Sequence, residues 1–198
     1  ASPADVFFAQ DAGALGAVAA EGRLADLPSE TLAVVDPRFA SDAGQWVGVS
    51  GRARVVGYDT RTLREADLPT GIDGFIDPAW KGRIGWAPTN ASLQSFITAY
   101  RVLKGDDAAK AWLTAIQANE PKVYDGNAAI LAAVAAGEVE VGFLNHYYLM
   151  RQLIEQGDEF PVRNFFFPGG DAGSLVNVAG AGILTSAPNP AAAPRFRG

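Results

Sequence analysis

The stretch Gly82-Arg-Ile-Gly-Trp-Ala-Pro-Thr-Asn90 decides the fold class of this chain. Its first part, Gly82–Ala87, is predicted to form a strand, and either Thr89 or Asn90 can cap the helix that follows. The same order returns at Val139–Leu144, a strand that is followed by a helix over Tyr147–Gln156. Strands that alternate with helices predict an α/β fold with a mostly parallel sheet.

Elements on either side of this stretch extend the pattern. Trp46–Tyr58 alternates and is rich in β-branched residues, which predicts two consecutive strands or one long strand bent at Gly51. Asn127 is predicted to cap a third helix, and Leu175–Leu184 to form a glycine-broken pair of strands. Pro188–Gly198 begins like a helix that is not completed.

Composition excludes several classes of function. The 198 residues carry a formal net charge of −6, no cysteine and one histidine. A disulfide scaffold, a Cys-ligated metal site, a thiol nucleophile and a multi-histidine metal site are therefore excluded. The acidic balance argues against a nucleic-acid partner, and no apolar run approaches the ~20 residues of a membrane span. His146 and Tyr147 lack a second acid–base partner at useful spacing, so we expect no enzymatic activity.

Three asparagines share one context, because Asn90, Asn127 and Asn145 each lie where a strand or loop passes into a helix. Carboxyl ends of strands and N-termini of helices meet at one edge of an α/β sheet, and helix N-termini favour anions. The pattern therefore allows an anion site, although asparagine is also a common helix cap. Arg52 and Arg54 alternate on a strand, and they either attract the same anion or are simply solvated.

The adjacent pair Tyr147-Tyr148 follows the end of a predicted strand. At a helix start the two side chains can converge on one ion, and phenolate oxygen is a hard donor suited to a trivalent cation. Such a metal must displace the phenol protons, so its binding would weaken in acid. The alternative is a pair of packed aromatic residues. We expect the neighbouring His146 not to be a ligand.

Two stretches, Asp77–Asn90 and Gly-Glu-Val-Glu-Val-Gly-Phe-Leu-Asn-His-Tyr-Tyr at Gly137–Tyr148, resemble the ferric-iron-binding subunits of bacterial ABC importers. Ser50–Thr60 resembles the same family, as do Ala4–Phe8 and Leu175–Leu184. The resemblance implies a type II periplasmic-binding-protein fold with two α/β lobes, of which the amino lobe is incomplete. Lobe one would comprise residues 1–53 and 178–198, and lobe two residues 54–177. Hinge crossings are expected near Arg54–Tyr58 and Leu175–Ala179.

The same resemblance implies a site for Fe(III) with phosphate or carbonate as synergistic anion. Tyr147 and Tyr148 would be metal ligands, while the position that is often glutamate in the family reads Gln10, with Asp11 beside it as a substitute. The anion-holding positions would be Asn90, Ala91, Ser92, Asn127, Asn145, Arg52 and Arg54.

The resemblance also implies a cellular setting. The chain would be a monomeric, periplasmic or extracellular subunit, lipid-anchored through a preceding segment, that delivers iron to a membrane permease. Two alternatives stay open. One is a binding protein for an oxyanion or small organic acid without iron, and the other is an extracellular interaction module on the same fold.

Overall fold

The computed structural model describes residues 3–189, which form two compact units. Among the described residues, the first unit comprises residues 3–51 and 177–189, and the second comprises Arg52–Val176. Residues 1–2 and 190–198 of predicted lobe one lie outside the described part, and so does most of the helix start predicted at Pro188–Gly198.

Seven strands and six helices make up the regular structure of the described residues. The strands are β1 (Val6–Ala9), β2 (Val47–Asp59), β3 (Ile84–Trp86), β4 (Lys122–Val123), β5 (Val141–Asn145), β6 (Val162–Phe165) and β7 (Val176–Ile183). The helices are α1 (Ala12–Ala20), α2 (Ser29–Leu32), α3 (Ala91–Lys104), α4 (Asp106–Ala118), α5 (Asn127–Ala135) and α6 (Tyr147–Gln156). Short 3-10 helices cover Pro37–Phe39, Glu65–Asp67, Ile72–Ile76, Pro78–Trp80 and Ala172–Ser174.

In the first unit, β1 pairs antiparallel with β7, with Val6 opposite Ile183. Helix α1 begins directly after β1 because Asp11 caps it, accepting a hydrogen bond from the Gly13 N–H at 2.7 Å. The predicted strand pair at Leu175–Leu184 is wrong, since the chain forms one continuous strand there. For Trp46–Tyr58 the second of the two predicted alternatives is observed, because the stretch forms one long strand, β2, which begins in this unit.

In the second unit the strand order is β6-β2-β5-β3-β4. Strand β3 is parallel to β4 and β5, whereas β2 is antiparallel to both β5 and β6. The expected mostly parallel sheet is therefore mixed. Helices connect β3 to β4, β4 to β5 and β5 to β6, so these four strands run in the same direction. No such helical crossover relates β2 to them, and β2 runs in the opposite direction.

Helices cover both faces of this sheet. On one face α3 and α4 pack on an aromatic core that contains Phe75, Phe96, Trp112 and Phe143. On the other face α5 and α6 contribute Leu131, Val134 and Leu149 to a second apolar cluster. The α/β class predicted from the sequence is thus observed, and the layers bring helix N-termini to the edge where β3 and β5 end.

Close packing of α5 on β5 depends on a glycine. A Cβ atom on Gly142 would collide with the Cγ2 methyl of Ile130 and would lie 3.3 Å from that of Val134. Because Gly142 has no side chain, α5 lies directly against the strand, and its first residue, Asn127, reaches the end of β5.

Candidate functional site

Arg54 is the centre of a polar cluster at one edge of the second unit. Its side chain lies on β2 and is buried, with the residue only 6% exposed. Its Nη1 atom donates to Ser92 Oγ at 3.2 Å, to Asn127 Oδ1 at 3.3 Å and to Asn145 Oδ1 at 3.1 Å. All three acceptors are neutral, so none of them compensates the charge of the guanidinium. Burial lowers the pKa of Arg54 to about 10, which leaves it cationic at neutral pH.

The start of α3 supplies the second part of the cluster. Of the two predicted cap candidates it is Asn90, not Thr89, that caps the helix, and its Oδ1 accepts from Ser92 N–H at 3.0 Å and from Ser92 Oγ at 2.6 Å. Ala91 is the exposed first residue of the helix. The free N–H groups and the dipole of such a terminus favour an anion.

Asn127 does not cap α5, so the sequence prediction for this residue is wrong. Gly126 occupies the cap position, and Asn127 is the first residue of the helix. Its Oδ1 accepts from the backbone N–H of Asn145 at 3.0 Å as well as from Arg54. Asn127 is buried because it closes the gap between the helix and β5, and this contact places Asn145 beside the guanidinium.

Arg52 lies two residues before Arg54 on the same strand. Its Nε atom is buried and has no hydrogen-bond partner among the described residues. The positive charge of Arg52 acts to lower the pKa of Tyr148, which places this guanidinium within electrostatic reach of the tyrosine pair. A buried donor without an acceptor is a group that an anion can satisfy.

The two tyrosines begin α6 and stack on each other, with ring centroids 4.5 Å apart and planes at 27°. Tyr147 is 40% exposed, and Tyr148 is partly buried. The Tyr148 phenol adjoins the side chains of Tyr147 and Asn127. Its interaction with the Tyr147 phenol is the largest cause of a raised Tyr148 pKa, and burial adds to it. Since Asn127 also accepts from Arg54, the phenol pair lies next to the Arg54 cluster.

His146 precedes the pair and turns one ring nitrogen inward. Its Nδ1 accepts from the backbone N–H of Ala53 at 3.1 Å. A neutral imidazole whose Nδ1 is an acceptor carries its proton on Nε2, and neither nitrogen then has a free lone pair for a metal. In this structure the Nδ1 atom of His146 is therefore occupied by a backbone N–H.

Gln10 and Asp11 belong to the first unit, whereas both tyrosines belong to the second. Gln10 is exposed at the end of β1. Both carboxylate oxygens of Asp11 are engaged, one by Gly13 N–H and the other by Asn177 Nδ2 at 2.5 Å. In this structure Asp11 therefore acts as a helix cap.

Asn164 near the end of β6 was not singled out from the sequence. Its Nδ2 donates to the His146 carbonyl at 2.9 Å, while its Oδ1 is buried without a hydrogen-bond partner in the described structure. The one signal in the sequence is an asparagine in the interior of a strand, where it stands beside Arg163 and between Val162 and Phe165. Among residues 3–189, no three His, Cys, Asp or Glu side chains group so as to hold a metal ion.

Comparison with known proteins gives the family of this chain. Residues 1–195 match the family of bacterial extracellular solute-binding proteins, and the chain belongs to that family. Its α/β architecture is that of the type II periplasmic binding proteins, so the fold class and the resemblance stated from the sequence are confirmed. None of the helices within residues 3–189 is long and apolar enough to cross a membrane.

Three similar proteins have names or titles that mention iron. The Fe(3+)-binding periplasmic protein of Serratia marcescens is 34% identical over 197 residues, which cover 99% of this chain and 58% of that protein. Iron-bound HitA from Pseudomonas aeruginosa superposes with a TM-score of 0.89 at 37% identity, covering 98% of this chain and 63% of that one. FutA from Trichodesmium, in complex with iron and citrate, has a TM-score of 0.87 at 31% identity, covering 98% and 64%. The chain thus spans about three fifths of the length of these relatives.

Proposed function

We propose that this chain is the ligand-binding part of an extracytoplasmic substrate-binding protein that takes up Fe(III) together with a synergistic anion. Tyr147 and Tyr148 would donate phenolate oxygens to the ion. The anion would be held by Asn90, Ala91, Ser92, Asn127, Asn145, Arg52 and Arg54.

The observation that carries this proposal is the buried Arg54 beside the tyrosine pair. Its guanidinium is cationic, and its Nη1 acceptors are neutral oxygens. A buried charge without a counter-charge is costly, and an anion at this edge would remove that cost. The same anion would also offset the charge of a trivalent cation at the phenols.

The nature of the cation is supported by the donors and by the relatives. Two phenolates suit a hard trivalent ion, and they are adjacent in this structure. The relatives described above bind iron, as their names state. For the anion we propose phosphate or carbonate, and the citrate of the Trichodesmium complex makes a carboxylate a third candidate to test.

The cellular role that we propose is supported by the family. A solute-binding protein of this kind would hand its cargo to the permease of an ABC importer, from the periplasm or the cell exterior, without catalysing a reaction. We place lobe one at residues 1–53 and 178–198 and lobe two at 54–177, with the hinge in the strands that join them. We expect a monomer.

The test is a titration with Fe(III) from a chelated donor, followed by visible absorbance, with and without phosphate or carbonate. The wild-type chain should develop a saturable iron–phenolate band at about one iron per chain. Tyr147→Phe and Tyr148→Phe should each weaken binding strongly and keep the fold. Tyr124→Phe is the matched control, because that phenol contacts Glu138 at 3.3 Å and belongs to neither part of the proposed site.

Two results would contradict the proposal. Iron affinity that is unchanged in the double tyrosine variant would remove the ligand assignment. Saturable binding of phosphate or a small organic acid, with no coloured band at any iron concentration, would establish the alternative of an anion-binding protein without iron.

A further inference from the structure

His146 closes the corner where β5 passes into α6. The antiparallel pairing of β2 and β5 places Arg54 opposite Asn145, so Ala53 and His146 follow as the next pair. The His146 N–H donates to the Ala53 carbonyl at 3.1 Å, as a ladder requires. His146 itself has helical dihedral angles, φ −55° and ψ −37°, because the chain turns into α6 at this residue.

Because of this turn, the His146 carbonyl does not accept the Ala53 N–H, as it would in a regular antiparallel pair of β2 and β5. The His146 carbonyl accepts from Asn164 Nδ2 at 2.9 Å. The Ala53 N–H, which would otherwise donate to it, donates to His146 Nδ1 at 3.1 Å. The imidazole thus replaces a backbone carbonyl, and the ladder continues one residue beyond the end of the strand.

The corner joins the two chemical parts of the candidate site. Ala53 lies between Arg52 and Arg54 on β2, and His146 directly precedes Tyr147 and Tyr148. One hydrogen bond therefore ties the strand that bears both arginines to the helix start that bears both phenols. The imidazole ring also meets the Tyr147 ring edge-on, with centroids 5.9 Å apart, and lies 6.4 Å from the Phe166 ring.

We infer that His146 is a positioning residue for ligand binding, acting through the Nδ1 acceptor rather than through contact with the ion. This inference rests on the proposed iron function. Through this hydrogen bond the ring holds Tyr147 and Tyr148 in register with Arg52 and Arg54. A one-bond link of this kind affects affinity because small displacements of ligating groups weaken a preorganised site.

The first measurement needs no iron. His146 is the sole histidine of the chain, so its ring nitrogens can be assigned without ambiguity in a ¹⁵N spectrum. We expect Nδ1 unprotonated, Nε2 protonated, and a scalar coupling across the hydrogen bond to the Ala53 amide. A protonated Nδ1 in the folded protein would overturn the inference.

The second measurement compares a variant that loses the imidazole ring with one that loses the hydrogen-bond acceptor. His146→Asn keeps an acceptor oxygen near the Nδ1 position and removes the ring, whereas His146→Phe keeps the ring contacts and removes the acceptor. We expect iron affinity within about threefold of wild type for the asparagine variant, and about tenfold weaker binding with a shifted phenolate band for the phenylalanine variant. A purely structural role would lower the unfolding stability of His146→Phe but leave its band and iron affinity at the wild-type values.

The outcomes separate the two claims. If wild-type protein develops no iron–phenolate band, the proposed function fails and this inference fails with it. If wild-type protein binds iron and His146→Phe binds it equally well, the inference alone is wrong.

Discussion

Replacement of Arg54 by methionine tests whether the buried guanidinium is the counter-charge for an anion. Methionine keeps much of the side-chain volume and removes the charge and its donors. The three oxygens that surround Nη1 would lose a shared donor, while the cost of burying the cation would disappear. Since these effects oppose each other, we expect the free energy of unfolding without anion to change by less than about 2 kcal/mol.

The expected loss of anion affinity can be worked from the pKa. Burial lowers the Arg54 pKa from its ordinary value of 12.5 to about 10. At about 1.36 kcal/mol per pKa unit, burial costs the charged form about 3 kcal/mol. Because the pKa is lowered on folding, this cost is present in full at pH 7 and declines only as the pH rises through about 10 toward the unfolded value. An anion that recovers all of it would bind about 300-fold more tightly to wild type than to Arg54→Met.

The assay is calorimetric titration with phosphate, and then with carbonate, on both proteins. We expect affinity to fall between about 10-fold and 300-fold, the lower bound corresponding to one charge-assisted hydrogen bond. Arg101→Met is the control, because it changes the net charge equally but removes an exposed arginine that pairs with Asp106. Equal anion affinity in wild type and Arg54→Met would refute the argument, as would an equal loss in Arg101→Met.

Two further predictions concern the phenol and the packing beneath the site. The raised pKa keeps Tyr148 neutral near pH 7, so Fe(III) must displace the phenol proton when it binds. Iron affinity should therefore fall at least about tenfold per pH unit on acidification. Competition with a chelator at several pH values measures this dependence, and an affinity that does not change with pH would contradict it. Gly142→Ala should lower the free energy of unfolding by about 1–3 kcal/mol because the methyl collides with Ile130. Gly16→Ala is the control, because a Cβ atom on Gly16 in α1 would meet no other atom, and it should leave the free energy of unfolding unchanged or raise it by up to about 1 kcal/mol. Urea unfolding measures both variants, and equal effects of the two substitutions would contradict the packing argument.

Local sequence patterns were sufficient where the interaction itself is local. Asn90 is one of the two cap candidates predicted for α3, and α6 has the predicted span, because a cap and an amphipathic helix depend on residues a few positions apart. Asn127 stands at a helix start in the same way, yet its side chain turns to Arg54 and to the Asn145 N–H. The sequence around Asn127 holds no sign of that choice, because both partners are distant along the chain.

Long-range pairing decided the remaining features. The direction of β2 depends on where it enters the second unit, so helix and strand periodicity could not reveal that it opposes its neighbours. The alternating pattern of this strand places Arg52 and Arg54 on one side, but it does not distinguish solvent-exposed arginines from arginines that bind an anion. Only the arrangement of α3, α5 and β5 around Arg54 shows that this side chain is buried.

Gly142 bears on how other sequences of the family are to be read. The glycine at this position allows Ile130 of α5 to lie directly against β5. Asn127, which contacts Asn145, lies about one helical turn before Ile130 on the same helix. In a homologue with a larger residue there, the helix would stand further from the strand, and the same polar residues would enclose a differently shaped space. Agreement at the ligand positions alone is therefore a weak basis for assigning the same cargo, and position 142 should be compared alongside them.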